Sequence, residues 1–425
     1  MHQLFFYLLL VLLPTQLGVH FWPGWALVLG RRIDYLSPTL YVTDVIIFLM
    51  LISWGASQYN KFSIFPSASL RAGIFQFLFK KRKFKYLIFK LILLTGFVGL
   101  NIFFAANRMV AFFAWIKILE LVALGVYIVH TKPKFSSLVI PLSIGVFYSS
   151  VIAIIQFFLQ HSVGGLFWFL GERTFSAITP GIAQIPLCFP NRFNCPLMLR
   201  AYATFPHPNV LGGFLAVTIP LLIFNFKFSI FNQTKKFLIF DMATIILGII
   251  ALILTFSRSA WVVAVLSSMY VLFKKRKHVF FPVICFSIIF IFFIGNTFGF
   301  QDEAVVVRQQ LNAAAISMVR TSPILGNGLG NFLIQLPDYL VSRQIYFLQP
   351  VHNIYLLILS ETGVVGFAIF LWVIWKTVKN ISRKFFIFHF AFFILLLLGL
   401  VDHYPLTLQQ GQLMFTIFLS LSLIQ

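Results

Sequence analysis

The sequence predicts an all-α polytopic membrane protein of about twelve transmembrane helices. It reads as a single integral membrane domain over 1–425, with two long extracytoplasmic loops at 161–208 and 295–352. Three observations carry that prediction. Of 425 residues, 60% are hydrophobic and only 10% charged, where a soluble domain carries about 25% charged residues. Apolar runs of about 20 residues, enough to span ~30 Å of hydrocarbon, recur along the whole chain. The loops between those runs alternate in the kind of basic residue they hold.

Taken in order, the runs are 4–17 (extending toward 21), 40–55, 84–105, 109–129, 138–159, 210–226, 237–256, 259–273, 279–294, 354–375, 385–401 and 406–424. The first lacks a basic n-region and a small-residue cleavage site, so it reads as a span and not as a removed signal peptide. From 237 to 273 the chain is almost unbroken. As one helix it would measure about 55 Å, nearly twice the hydrocarbon thickness, so it must fold back at its polar break, Ser257-Arg258-Ser259. Within the second long loop, Val306, Gln310, Ala313, Ala314 and Met318 predict a short helix over 303–320 lying at the membrane surface.

The net charge of +22 divides into two populations. One set of loops holds twenty basic residues and no Asp or Glu, in clusters around 61–85, 132–134, 227–236, 274–277 and 376–384. By the positive-inside rule these loops are cytoplasmic, which puts both termini in the cytoplasm and the protein in the cytoplasmic (inner) membrane. The opposite set carries ten basic residues, all arginine: Arg31, Arg32, Arg108, Arg173, Arg192, Arg200, Arg258, Arg308, Arg320 and Arg343. Guanidinium grips phosphate through a planar fork and keeps its charge; the competing reading is a chance scatter of arginines on the side where lysine does not accumulate. The basic balance is thus topological and gives no reason to expect nucleic acid. Three cysteines exclude a disulfide scaffold, and no C-x-x-C or H-E-x-x-H spacing suggests a metal.

Four constellations stand on the arginine side. In Arg200-Ala-Tyr-Ala-Thr204-Phe205-Pro206-His207-Pro208-Asn209, two prolines fix the approach to the sixth span. His207 there reads as a turn residue before it reads as a catalyst, and Arg200, with no acidic neighbour, reads as an anion ligand. In Thr255-Phe256-Ser257-Arg258-Ser259-Ala260-Trp261, Arg258 either snorkels to the headgroups or, with the serines capping the turn, points into the protein. The glycine-rich Pro323-Ile-Leu-Gly326-Asn327-Gly328-Leu-Gly330-Asn331-Phe332 is neither a P-loop nor a dinucleotide fingerprint and reads as a turn closing the surface helix onto the membrane. In Pro350-Val-His352-Asn353-Ile-Tyr355, His352 is a base of neutral range and Asn353 a helix cap. Glu361, inside the tenth span, needs a partner; Lys117 or polar backbone would serve, unless Lys117 pairs with Glu120 at i, i+3.

In this order and spacing, Arg-x-x-x-Thr-Phe-x-His-Pro-Asn, Ser-Arg-Ser-Ala-Trp, Pro-x-x-Gly-x-Gly-x-Gly-Asn-Phe and His-Asn-x-Tyr-Leu resemble the O-antigen ligase and O-antigen polymerase superfamily over 138–425. The resemblance implies a GT-C-like, metal-independent, inverting glycosyltransferase without cofactor. It would move a glycan from an undecaprenyl-pyrophosphate donor to a hydroxyl of a glycan, lipid or protein acceptor at the outer face of the membrane. It implies that Arg200 and Arg258 bind the donor pyrophosphate and that His352 activates the acceptor; His207, Asn209, Ser257, Asn353 and Arg320 stand beside them as candidates for support. Ligase, polymerase and protein-glycosylating activities share these motifs, so donor sugar and acceptor stay open. Cys188 and Cys195, seven apart in the first long loop, are candidates for a disulfide on an oxidising face; Cys285 reads as a packing residue of the ninth span. The alternative from a different class is a multi-span transporter or flippase of envelope polysaccharide precursors, which intramembrane Lys117, Glu120 and Glu361 would suit, although no internal repeat is visible.

Overall fold

The computed structural model describes residues 1–63, 81–186, 196–229, 235–273, 302–340, 348–379 and 386–424. Cys188, Cys195, Cys285, Arg192, Arg343 and the ninth predicted span lie outside these. The described chain is mostly helical: α1 His2–Val11, α2 Val42–Ser63, α3 Lys81–Phe103, α4 Arg108–Thr131, α5 Phe135–Leu159, α6 Pro208–Ser229, α7 Lys235–Leu254, α8 Arg258–Phe273, α9 Asp302–Thr321, α10 Phe332–Tyr339, α11 Ile354–Lys379, α12 Phe386–Leu398, α13 Tyr404–Thr407 and α14 Gln409–Ser422. Among the described residues, five helices are long and apolar enough to cross a membrane: Val42–Tyr59, Arg108–Thr131, Phe135–Leu159, Pro208–Phe226 and Ile354–Lys379. Shorter apolar helices, among them α1 and α12, pack with them. This is a helical membrane protein.

The main core runs through the bundle and includes Phe6, Leu9, Tyr127, Phe214, Phe388 and Phe418, each at most 2% exposed. Close approach is written into the sequence at the paired glycines of α6. A Cβ on Gly213 would lie 1.7 Å from the Tyr404 hydroxyl, and one on Gly212 would lie 3.0 Å from Ser257 and Ala260. A second apolar cluster joins Val28 and Leu36 to Val307, Leu311, Met318, Phe332 and Val351. It fastens α9, α10 and the N-terminal loop to the end of the bundle that bears the arginines.

Several elements differ from the sequence expectation. The first helix ends at Val11, not near Leu17, because Pro14 cannot donate to a continuing ladder. Residues 18–41 then form antiparallel pieces: Gly18–His20 (β1) pairs with Thr39–Tyr41 (β4), and Leu27–Val28 (β2) with Arg31–Arg32 (β3). A third pair, Gln184–Pro186 (β5) with Leu197–Leu199 (β6), lies within 161–208. The arginine-bearing end therefore carries a third structured segment and some β structure that an all-α reading omits. A helix is present where one was expected within 303–320, but its buried stripe is Val307, Leu311, Ala314, Ala315 and Met318, and Val306 is 48% exposed. The i, i+4, i+7, i+8, i+11 stripe is the better helical fit, so the face is rotated from the one expected. The last predicted span is two helices broken at Leu408, whose backbone is extended. Gly411 permits the break, since a Cβ there would meet the Tyr404 carbonyl.

Candidate functional site

Arg200 is positioned by three elements. β6 delivers it, its Nε donates to the Thr255 carbonyl in the α7–α8 turn at 2.7 Å, and an Nη donates to Asn209 Oδ1 on α6 at 2.8 Å. Burial holds its pKa down to about 10, still charged at neutral pH. The predicted fold-back is present, with α7 ending at Leu254 and α8 starting at Arg258. The capping differs from expectation. Thr255, not a serine, closes the turn, its Oγ1 accepting from Ser257 N at 3.3 Å and donating to the Leu252 carbonyl at 2.6 Å. Ser257 is buried and gives its carbonyl to Trp261 N. Phe256 takes φ 49°, a strained value for a bulky residue and of the kind held where a turn must aim a side chain. The side chain so aimed is Arg258, exposed at the first position of α8.

His352 immediately precedes α11. Asn353 caps that helix as expected: its Oδ1 accepts from Tyr355 N and Leu356 N at 2.9 and 3.0 Å. Its Nδ2 donates to the Leu400 carbonyl at 3.1 Å, tying the start of α11 to the end of α12. That tie brings His352 to Asp402. The imidazole Nδ1 lies 3.5 Å from Asp402 Oδ1, a charge contact slightly too long for a formed hydrogen bond, and Nε2 lies 3.3 Å from Gln349 Oε1. Asn209 closes the chain, donating from Nδ2 to Asp402 Oδ2 at 3.1 Å. Arg200, Asn209, Asp402 and His352 therefore form one connected path drawn from four parts of the sequence.

Three side chains in this cluster were not singled out from the sequence. Burial pushes Asp402 up, but the histidines around it, His352 above all, hold it well below the usual carboxylate range, so it is ionised. His403 stacks obliquely on His352 with ring centroids 5.0 Å apart, and bonds Thr407 Oγ1 through Nδ1 at 2.7 Å. Burial pushes His403 down to about 3, so it is neutral. Arg308, exposed on α9, acts electrostatically on Arg200, Arg258 and His403. A fourth, Tyr35, arrives from the N-terminal segment and meets His403 edge to face at 5.3 Å. A signal was present for some: Asp-His-Tyr-Pro between two apolar runs is an uncommon polar break, whereas nothing local marks Tyr35.

The remaining expectations resolve as follows. His207 is a turn residue. Its Nδ1 accepts from Asn209 N at 3.1 Å, its carbonyl begins α6, and burial beside Arg200 pushes it down to about 3. Arg320 stands exposed in the last turn of α9 with no hydrogen bond or ion pair to the cluster among the described residues. Glu361 does not pair with Lys117. Its Oε1 accepts from Phe332 N at 3.2 Å, and the glycine-rich turn docks on α11 through Asn327 N to the Ser360 carbonyl and Gly328 N to the Glu361 carbonyl. Lys117 bridges Asp44 at 2.6 Å and Glu120 at 2.8 Å.

His352, Asp402 and His403 each offer one ligand atom within 4.8 Å of one another, a donor set that zinc accepts. The surrounding charge disfavours a cation. Arg200 acts on Asp402 and Arg308 on His403, against a single carboxylate whose two oxygens already accept from His403 N and Asn209 Nδ2. Such an excess of fixed positive charge in a partly desolvated place attracts an anion.

Comparison with known families adds one match: residues 243–371 fit the O-antigen ligase family. That stretch is under a third of the chain; it contains Arg258, Arg308 and His352 and leaves out Arg200, Asn209, Asp402, His403 and Tyr35. No curated protein and no solved structure matches the chain.

Proposed function

From an O-antigen ligase domain at 243–371, we propose that the protein is a glycosyltransferase of the ligase or polymerase type. It works at the end of a twelve-span bundle facing away from the cytoplasm, and it moves a glycan from an undecaprenyl-pyrophosphate donor to an acceptor hydroxyl. One observation carries the reading. Arg200, within electrostatic reach of Arg258 and Arg308, is linked through Asn209 to the ionised Asp402 that stands beside His352.

Asp402 favours the tautomer with the proton on Nδ1; with the acceptor hydroxyl in the place of the Gln349 amide, Nε2 is left as the base, as in other carboxylate-oriented imidazoles. The acceptor hydroxyl gives its proton to Nε2 as its oxygen bonds the anomeric carbon. The bond from that carbon to the pyrophosphate oxygen breaks on the opposite face, so configuration inverts. Charge accumulates on the departing pyrophosphate, where preorganised guanidiniums stabilise it. Arg200, locked by Thr255 and Asn209, is the fixed part of that cradle; Arg258 and Arg308, both exposed, are the parts that close on the ligand. No step requires a metal. The residues on which transport would rest are engaged elsewhere: Lys117 with two carboxylates, Glu361 with backbone amides.

Membranes of a strain deleted for the gene and complemented in trans test the reading. Wild type should restore the surface glycan, and EDTA-washed membranes should keep full transfer. Arg258→Ala with normal membrane levels should lose it by about 10²-fold or more. Full transfer by Arg258→Ala, or loss on chelation restored by zinc, overturns the mechanism.

A further inference from the structure

The first long loop begins with an apolar segment that the arginine cluster does not use. Residues 162–171 carry no charge, and within them Gly165–Leu170 form a 3₁₀ helix. With three residues per turn, Phe167 and Leu170 fall in one row, and both pack on the main core. The other two rows point away from it: Leu166 is 81% exposed, Phe169 64% and Trp168 54%. The neck of the segment is clasped from both sides. Glu172, itself buried, accepts from Val163 N at 2.6 Å and from Gly164 N at 2.7 Å. Gly171 gives its carbonyl to Gln16 Nε2 at 3.2 Å, and at its φ of 91° a Cβ would lie 2.7 Å from Gln16 N. These ties hold the backbone and leave Leu166, Trp168 and Phe169 outward.

The clasp also sets the height of the segment. Gln156, in the last turn of α5, donates to Glu172 Oε1 at 2.7 Å, so the neck is pinned to the end of a helix long and apolar enough to cross a membrane. Phe158 and Leu159, the last two residues of that helix, are exposed as well, and the apolar surface of the span continues onto the 3₁₀ segment beside it. Arg173 stands just beyond the neck, exposed, with an Nη donating to the Pro206 carbonyl at 3.0 Å. Apolar rings at the tip and a guanidinium behind them suit the boundary between acyl chains and headgroups. The same Gln156 exchanges two hydrogen bonds with the backbone of Ala203, in the stretch that follows Arg200.

We propose that Leu166, Trp168 and Phe169 form a wedge that docks in the lipid leaflet at the arginine-bearing end of the bundle. Its occupant is phospholipid: acyl chain against the three side chains, headgroup against Arg173. An apolar patch of this kind on a membrane protein marks a lipid or a protein contact, and its continuity with the exposed end of α5 selects lipid. The segment that the sequence assigns to an extracytoplasmic loop is thereby a membrane-surface element. The inference stands independently of the transferase reading.

The test uses the full chain in phosphatidylcholine nanodiscs, which leave both faces open to solvent. Since the chain holds 8 tryptophans, Trp168 is read as the fluorescence difference between wild type and Trp168→Phe, a change that keeps the tip apolar. That difference should resist aqueous iodide and be largely lost when the phosphatidylcholine carries bromine on its acyl chains. Bromine near the carboxyl end of the chain should quench more than bromine near the methyl end, because the wedge is shallow. Leu166→Trp in the Trp168→Phe background moves the probe to the most exposed position of the tip and should restore a signal with the same pattern. Quenching of either probe by iodide in place of bromine would put the segment in water and overturn the wedge. Resistance to both quenchers would mean that protein covers it, a second copy of this chain included, and would overturn it equally.

Discussion

Glu361 and Asp402 are both buried acids, 7% and 6% exposed, and the structure answers them in different currencies. Around the Glu361 carboxylate the partners are backbone. Phe332 N donates to its carboxylate, and its own carbonyl receives Gly328 N and Asn101 Nδ2. Around Asp402 the partners are mainly side chains from separate elements: Asn209 at the start of α6 and His352 before α11, with the neighbouring His403 amide. Backbone amides fix geometry and exchange no proton. Side chains delivered by different helices transmit position and charge between them. One acid closes the fold, and the other connects the arginine cradle to a base.

The sharpest way to break this comparison is to remove the base. His352→Ala should lower transfer by about 10²–10⁴-fold, the range of general-base contributions, with the protein still inserted in the membrane. Asp402→Asn comes next. It keeps shape and one acceptor oxygen but removes the charge that orients the imidazole, so transfer should fall about 10²-fold while thermal stability shifts little. If Asp402→Asn instead unfolds the protein and spares the rate of what remains folded, Asp402 belongs with Glu361 and the distinction collapses.

At Glu361 the opposite split is expected. Glu361→Ala leaves Phe332 N buried without its acceptor, which costs about 1–3 kcal/mol. It should lower the melting temperature while transfer per folded molecule stays within about twofold. Gly363→Ala at the same junction should do more, because Gly363 has φ 62° and a Cβ there would lie 2.2 Å from the Ile324 carbonyl oxygen. Melting of detergent-solubilised protein alongside rate in membranes measures both.

How much of this was legible in the sequence depends on the range of the interaction. Local signals carried well. The length argument placed the fold-back between α7 and α8, and the asparagine after His352 announced its cap. What failed was non-local. The partner of Glu361 is the glycine-rich turn, itself noted as a motif, but nothing in either stretch says that they touch. Asp402 follows a hydrophobic run, and its meaning comes from Asn209, 193 residues away. The N-terminal segment was absorbed into an apolar run because Leu12, Leu13, Leu17 and Val19 look helical until Pro14 and a pairing with residues 39–41 are taken into account. Arg320 was favoured over Arg308, which stands about 18 Å away along α9, and only the packing of that helix shows that Arg308 is the one in reach of Arg200.

Acidification tests the histidines around Asp402. His403 and His207 are both pushed down to about 3 by burial, against an ordinary value near 6.5. Between those values the unfolded chain binds protons that the folded chain refuses. Their contribution to stability is therefore complete above about pH 6.5 and declines as pH falls toward 3. Asp402, held below the usual carboxylate range, acts in the same direction but only below the unfolded carboxylate value near 3.9, so within this cluster the contribution from pH 6.5 to 4 belongs to the histidines and is read as the difference between wild type and His403→Asn. Melting temperature should thus fall on acidification across that window. His403→Asn should flatten the fall, whereas Gly363→Ala should lower the whole curve and keep its slope. A wild-type curve that stays level from pH 6.5 to 4 would mean that the cluster accepts protons while folded. Asp402 would then face charged imidazoles, and the neutral His403 assigned beside the base would be wrong.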